Sequence, residues 1–129
     1  MSKPKFFYKG TRVSKGEKAI SIYLESLGIK FIREKTFIDC ISRNNRLLRF
    51  DFYIPSINVI IEYDGEHHFK PINKGYRAKY AHERTVINDK IKNKYIEDKG
   101  IGLLRITYKE FDDIKNIIDN LFKYFNINQ

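Results

Sequence analysis

Apolar and polar positions along the chain follow two periods, one typical of helices and one typical of strands. Ser14 with Glu17 three residues later matches a capping box, and Gly28 ends the helical pattern that follows. Thr107 with Glu110 is a second pattern of this kind. In chain order the pattern predicts a helix, three strands, a helix, a strand and a helix, over residues 14–28, 29–38, 48–54, 57–64, 83–99, 101–107 and 107–125.

The strand–helix–strand passage in the second half of the chain predicts a mixed sheet with helices packed on it, which is an α/β fold. Asn44 and Asn45 indicate a turn between the first two strands, and residues 70–81 are predicted to be a loop. Residues 1–13 show neither period and are interpreted as a basic arm. The remaining residues, 14–129, have the length of one domain.

Acidic residues lie on two neighbouring strands that are otherwise apolar. On the first strand alternation predicts one face of Leu48, Phe50, Phe52 and Ile54 and an opposite face of Arg49, Asp51 and Tyr53. On the second it predicts one face of Ile57, Val59, Ile61 and Tyr63 and an opposite face of Asn58, Ile60, Glu62 and Asp64. If the two strands pair, we expect Asp51, Glu62 and Asp64 to converge.

Converging carboxylates indicate a divalent metal ion, because Mg²⁺ prefers hard oxygen ligands and needs only two or three of them beside its waters. Such an ion polarises a phosphate and activates a water near neutral pH. The net charge of +9 and the pI of about 9.6 favour a nucleic acid or another polyanion as partner. The alternative is a merely lysine-rich protein with solvent-facing acids on a half-exposed sheet, which leaves the acids on a core strand unexplained.

Other candidate residues have a structural explanation beside the functional one. His67 and His68 follow Gly65, and we expect at most one of them to act as a general base. Glu17 either completes its capping box or reaches the carboxylates from the first helix. Asp89 and Lys92 lie one turn apart on the second helix, on the side of Ile96 and opposite the stripe formed by Ile87, Ile91 and Tyr95.

Several segments together resemble the PD-(D/E)XK nuclease superfamily, and most closely its very-short-patch repair endonucleases and the phage-type homing endonucleases with an E-D-x-H-D site. The resemblance covers residues 16–106, most of the chain, and depends on residues 16–18, 49–53, 60–69, Asp89 with Lys92, and 100–106. It implies a three-layer restriction-endonuclease-like core of order α-β-β-β-α-β-α, with a mixed sheet flanked by helices.

The resemblance also implies roles for individual residues. The E-D-H-D set is Glu17, Asp51, His68 and Asp89, in which Asp51 binds the metal and His68 is the base. Glu62 and the carbonyl of Tyr63 are further candidate metal ligands. Asp64 stands where the superfamily most often has lysine, which moves the role of general base to His68 or to Lys92.

The expected function is a DNA endonuclease that uses Mg²⁺, with Mn²⁺ as a substitute, in homing, repair or a mobile element. It would act as a homodimer or with a separate recognition partner. The residues expected to contact duplex DNA are Lys5, Lys9, Arg12, Lys70, Lys74, Arg77 and Lys79. The alternatives are a non-catalytic nucleic-acid-binding module on the same fold, and a structure-specific resolvase or RNA nuclease.

The expected location is a reducing one, the cytoplasm or nucleoid of a bacterium, phage or virus host. Cys40 is the single cysteine and can form no internal disulfide. No apolar run has the length of a membrane span, and the basic N-terminus lacks the apolar core of a signal peptide.

Overall fold

A computed structural model describes the backbone of residues 7–8, 11–66 and 76–126, and the side chains of residues 13–66 and 79–126. The described elements are β1 (Phe7–Tyr8), β2 (Thr11–Arg12), α1 (Lys15–Ser26), β3 (Ile32–Ile41), β4 (Leu47–Ile54), β5 (Val59–Asp64), α2 (Tyr76–Lys99), β6 (Gly102–Thr107), a 3-10 helix (Tyr108–Asp113) and α3 (Ile114–Asn126).

Four strands form one mixed sheet in the order β3-β4-β5-β6. The first three are antiparallel neighbours, and β6 runs parallel to β5. A parallel pair needs a long crossover, and the segment that contains α2 supplies it. The predicted α/β class and the predicted mixed sheet are therefore confirmed.

Helices cover both faces of this sheet. On one face α1 and α3 pack against the strands through a cluster of Ile20, Leu24, Phe52, Ile54, Ile61, Ile106, Ile114 and Ile118. On the other face α2 packs through a smaller cluster of Cys40, Leu48, Phe50, Ile60 and Ile96. No described helix has the length and apolar character needed to cross a membrane.

The predicted alternation along β4 is wrong at its centre. Leu48 and Phe50 belong to the cluster under α2, whereas Phe52 and Ile54 belong to the cluster under α1 and α3. The change of face falls at Asp51. Because both faces of the sheet are buried, an apolar residue fits either face, so alternation in the sequence does not reveal the change.

The predictions for β3, for the start of α2 and for the N-terminal arm also differ from the structure. β3 occupies Ile32–Ile41 in place of 29–38, and α2 begins at Tyr76, inside the segment that was predicted to be a loop. The first turns of α2 are rich in charged residues and lack an apolar period that could indicate a helix. The arm holds a short antiparallel ribbon in which Phe7 pairs with Arg12. Strands of two residues are too short for any period to be seen.

Both ends of α1 lie where the predicted cap and the predicted glycine stop place them. The backbone N–H of Glu17 donates to Ser14 Oγ at 3.2 Å, as in the predicted cap, and Gly28 ends the helix region with φ of 70°. Gly16 is buried, and a Cβ at this position would overlap the ring of Tyr63 on β5. Only glycine allows this close approach of the helix to the strand.

The second predicted cap opens a 3-10 helix before α3. Glu110 Oε1 accepts hydrogen bonds from Thr107 N at 2.9 Å and from Thr107 Oγ1 at 3.2 Å. The interaction that the sequence predicted is therefore present, but the α-helix itself begins at Ile114. A 3-10 turn at a helix N-terminus is common.

Candidate functional site

A cleft of about 260 Å³ opens where β4 and β5 meet the middle of α2. Six of the residues predicted to form the site line it: Asp51, Glu62, Tyr63, Asp64, Asp89 and Lys92. Its remaining lining residues are Leu48, Arg49, Thr85 and Asn88. The three acids of β4 and β5 therefore converge as expected.

At this cleft, carboxylate side chains accept the hydrogen bonds that backbone carbonyls accept elsewhere between β4 and β5. The backbone pairing of the two strands ends at Phe52 and Ile61. Beyond them the backbone N–H of Tyr63 donates to Asp51 Oδ2 at 2.8 Å, and the backbone N–H of Asp51 donates to Glu62 Oε2 at 3.1 Å. The two carboxylates are held side by side by backbone groups, so little freedom remains to be lost when a ligand binds.

Glu62 and Lys92 form a buried ion pair. Lys92 Nζ contacts Glu62 Oε1, and the two side chains are only 12% and 6% exposed. The same ammonium lies 4.7 Å from the centre of the Phe50 ring. The side of α2 that carries Lys92 and the buried Ile96 therefore faces the sheet, a point that periodicity left open.

A second group of charged side chains lies beside the Glu62–Lys92 pair, and Arg105 contacts its carboxylates. Arg105 Nη1 lies 3.1 Å from both carboxylate oxygens of Asp64, and Arg105 Nη2 lies 3.8 Å from Asp89 Oδ1. Arg105 Nη2 also donates to Asn93 Oδ1 at 2.9 Å. Burial disfavours the charged guanidinium, but the carboxylates of Asp64 and Asp89 outweigh it and raise the pKa of Arg105.

Sequence reasoning assigned no role to Arg105. The residue lies in an apolar strand, opposite Glu62 in the parallel register of β5 and β6. A charged residue inside such a strand was the available signal, but its partner carboxylates are far away in sequence and are brought near only by the register. Its position makes it a positioning residue for Asp64 and Asp89.

Glu17 reaches the site indirectly. Glu17 Oε2 lies 3.5 Å from Arg33 Nη2, and the same guanidinium donates through Nη1 to Ser21 Oγ at 3.2 Å and through Nε to the carbonyl of Asp51 at 3.4 Å. The side chain of Glu17 is thus directed towards β4, so the cap alone does not account for it. Arg33, which sequence reasoning also missed, connects α1 to the strand of Asp51.

Negative charge accumulates around Asp51. Burial, followed by the carboxylates of Glu62 and Glu17, raises the pKa of Asp51 well above its ordinary value. The hydrogen bond from Tyr63 N and the ammonium of Lys92 act in the opposite direction but do not outweigh these effects. A cation bound at this position would relieve the repulsion.

The cleft contains oxygen donors of the kind that magnesium takes. Magnesium binds one or two carboxylates and keeps several waters, and Asp51 and Glu62 would supply the carboxylates. The carbonyl of Tyr63 lies on the same strand segment, between Glu62 and Asp64. Within residues 13–66 and 79–126, no cluster of three or more His, Cys, Asp or Glu side chains has the arrangement of a metal site.

Several predicted residues fall outside the described part of the chain. They are Lys5, Lys9, His68, Lys70 and Lys74; of Arg12 and Arg77 only the backbone is described. Lys79 is described and is exposed in the first turns of α2. The predicted roles of the undescribed residues remain predictions.

Comparisons of the chain with protein-family models, with curated proteins and with solved structures found no match. The cleft and the motifs in the sequence are therefore the basis for inferring the function.

Proposed function

We propose that this protein is a divalent-metal-dependent DNA endonuclease with a restriction-endonuclease-like core. The observation that supports the proposal best is the arrangement of Asp51, Glu62 and Lys92 in one cleft, with both carboxylates fixed by the backbone of the neighbouring strand. Two acids on adjacent strands, with a lysine on the helix that packs against them, suit hydrolysis of a phosphodiester, in which an ion, an attacking water and a phosphate must be held together.

The contacts in the cleft suggest a role for each residue. A magnesium ion held by Asp51, Glu62 and the carbonyl of Tyr63 would polarise the scissile phosphate and lower the pKa of a water. Lys92 supplies a positive charge to the phosphate oxygens from α2 and keeps Glu62 in position. Arg105 keeps Asp64 and Asp89 at the cleft wall. The proton of the attacking water goes to His68, a role that comes from the resemblance to the PD-(D/E)XK nucleases.

A specific observation also favours a non-catalytic binding module as second candidate. Lys92 neutralises Glu62 without any metal, and an ion pair of this kind can be purely structural. The two candidates differ in one measurable property. The nuclease nicks supercoiled plasmid when Mg²⁺ is added and stops when the metal is chelated, whereas the binding module leaves the plasmid intact.

The residue test is Asp51→Asn, with the exposed Asp112→Asn as matched control. Because a catalytic metal contributes several kcal/mol, cleavage by Asp51→Asn should fall by about a thousandfold or more, while Asp112→Asn cuts like the wild type. The amide oxygen still accepts from Tyr63 N, so the fold should survive. Cleavage by Asp51→Asn at the wild-type rate would contradict the assignment.

Stability gives a second measurement that does not depend on activity. Since the pKa of Asp51 is raised in the folded state, its ionisation destabilises the fold as pH rises above the ordinary carboxyl pKa of 3.8. The melting temperature of Asp51→Asn should therefore exceed that of the wild type at neutral pH, and the difference should shrink in acid. Mg²⁺ should raise the melting temperature of the wild type and leave Asp51→Asn unchanged.

The substrate class is tested by a panel of duplex, nicked, branched, mismatched and single-stranded DNA together with RNA. Preferred cutting of plain or mismatched duplex supports a homing or repair endonuclease. Preferred cutting of branched DNA or of RNA supports the resolvase or RNA nuclease instead.

A further inference from the structure

A second, larger groove lies beside the carboxylate cleft, between the β3–β4 hairpin and the first half of α2. Its volume is about 850 Å³, and four arginines of the described part of the chain line it: Arg43, Arg46, Arg49 and Arg84. We propose that this groove binds the phosphodiester backbone of the nucleic acid strand that enters the cleft. The inference rests on the proposed function and adds to it a binding surface that differs from the basic residues predicted from the sequence.

The charge of the groove favours a polyanion. All four arginines are exposed, and within the described part of the chain Arg43, Arg46 and Arg84 form no ion pair. Arg49 contacts Glu34 Oε2 at 3.1 Å but keeps half of its side chain exposed, and Glu83 is the one acid among the lining residues that the structure describes. Guanidinium groups bind phosphate oxygens through paired hydrogen bonds, so a row of them fits successive phosphates.

The turn that carries two of these arginines is braced by its own hydrogen bonds. Ser42 N donates to the carbonyl of Arg46 at 2.8 Å, and Ser42 Oγ accepts from Asn44 N at 3.3 Å and from Arg46 N at 3.2 Å. Asn45 takes the left-handed conformation, with φ of 61°. A preformed turn loses little conformational freedom when the ligand binds, which strengthens binding.

The groove and the cleft adjoin each other. Leu48, Arg49 and Asn88 line both. A strand lying on the arginines would therefore continue towards Asp51 and Glu62, with positive charge along its path and carboxylates at the point of reaction. This arrangement favours a strand with several phosphates over a free nucleotide.

The groove also offers an apolar surface for a base. Tyr80 lines it and is 55% exposed. A base that is not paired can stack on such a ring, as bases do on the aromatic side chains of proteins that bind single strands. Tyr80 therefore provides a way to distinguish single-stranded from duplex ligands.

The test compares Arg46→Gln/Arg84→Gln with Lys109→Gln/Lys123→Gln. Both pairs remove two positive charges from exposed side chains, but the control pair flanks and belongs to α3, on the opposite face of the sheet. Binding of labelled single-stranded DNA, duplex DNA and RNA is followed by fluorescence anisotropy with EDTA present, at several salt concentrations. Melting curves verify folding, and Arg43→Gln at the exposed turn replaces the pair if the double variant is unfolded.

We expect the groove pair to weaken binding tenfold or more and to lower the slope of log affinity against log salt by about 1 to 2, because each lost phosphate contact removes about 0.9. The control pair should change both quantities less. Tyr80→Ala should weaken single-stranded ligands more than duplex. Equal losses in the two pairs, or a wild type that binds no nucleic acid, would overturn the inference.

Cleavage assays with Mg²⁺ separate the two proposals. Groove-dependent binding without any cleavage refutes the nuclease and leaves the groove assignment standing. Cleavage that the groove pair leaves unchanged, together with unchanged binding, refutes the groove assignment and leaves the nuclease standing.

Discussion

The two faces of the sheet differ in the kinds of side chain that are buried between the strands and the helices. On the face under α1 and α3, the eight buried residues of the core cluster are Ile, Leu and Phe only. On the face under α2, five buried residues adjoin the charged residues Glu62 and Lys92. Apolar burial thus stabilises mainly the first face, whereas the second places charges that a folded protein tolerates only when they are paired. The comparison suggests that substitutions on the two faces should affect stability and activity differently.

The largest effect on stability should come from breaking the Glu62–Lys92 pair on the α2 face. Lys92→Met leaves the buried Glu62 carboxylate without its cation, which should cost about 3–5 kcal/mol of unfolding free energy. Replacing both residues, as Glu62→Gln/Lys92→Met, should restore most of the loss. Denaturant unfolding of the wild type, Lys92→Met, Glu62→Gln and the double variant gives the cycle. Additive losses in the double variant would show that the two groups do not interact.

Matched core truncations sharpen the comparison between the faces. Ile118→Ala on α3 and Ile96→Ala on α2 each remove a buried side chain and should cost about 2–5 kcal/mol. Below its melting temperature, Ile118→Ala should cut at the wild-type rate per folded molecule. Ile96→Ala should also cut more slowly, because Ile96 lies one turn after Lys92. Equal activities in the two variants would remove the distinction between the faces.

The histidine substitutions test a role that sequence resemblance alone supplies. His68→Ala should lower the cleavage rate by about a hundredfold, while His67→Ala should cost little. A neutral imidazole is needed to accept a proton, so the wild-type rate should rise with pH through roughly 6 to 7. The opposite ranking, or a flat pH profile, would move the role of base to Lys92 on the α2 face.

The smallest effect is expected at the outer end of α2, where a surface contact joins the helix to β3. Tyr95 Oη donates to Asp39 Oδ1 at 2.7 Å, and Lys99 Nζ lies 3.2 Å from Asp39 Oδ2. The bond from Tyr95 is the main cause that lowers the pKa of Asp39, against the effect of burial, and Lys99 adds to it. The same hydrogen bond, after burial, raises the pKa of Tyr95 to about 12.

Asp39→Asn should therefore lower the melting temperature slightly at neutral pH. A depressed carboxyl pKa stabilises the fold above the ordinary value of 3.8, and this stabilisation is lost as pH falls through the lower pKa of the folded state. The difference between Asp39→Asn and the wild type should fade over the same range. A difference that persists in strong acid would mean that the contact is not electrostatic.

Sequence alone predicted the parts of the fold whose two faces differ in polarity. α3 was predicted because apolar residues, among them Ile114 and Ile118, recur at helical spacing, and the capping box that was predicted for it opens the 3-10 helix before it. The beginning of α2 was missed, because its charged first turns present no apolar face. The change of face at Asp51 was missed, because burial on both sides of β4 removes the contrast on which alternation depends.

The sequence likewise predicted only some residues of the candidate site. Asp51, Glu62 and Asp64 lie on strands that are adjacent in sequence, so their convergence follows from a single pairing. Arg33 reaches the backbone carbonyl of Asp51, and Arg105 reaches the carboxylate of Asp64, through the register of β3 and β6, which the sequence does not specify. The groove arginines were missed for the same reason, since a turn and a distant helix must first be brought together.

The glycine in the first turn of α1 has a consequence for evolution. Gly16 leaves room for the ring of Tyr63, and the backbone N–H of Tyr63 holds the carboxylate of Asp51. The two positions are therefore expected to change together: a larger residue at 16 demands a smaller ring at 63, or the strand must move away from the helix. Diverged relatives of this chain would then be recognised by a compensating pair at these two positions, even where little of the remaining sequence is shared.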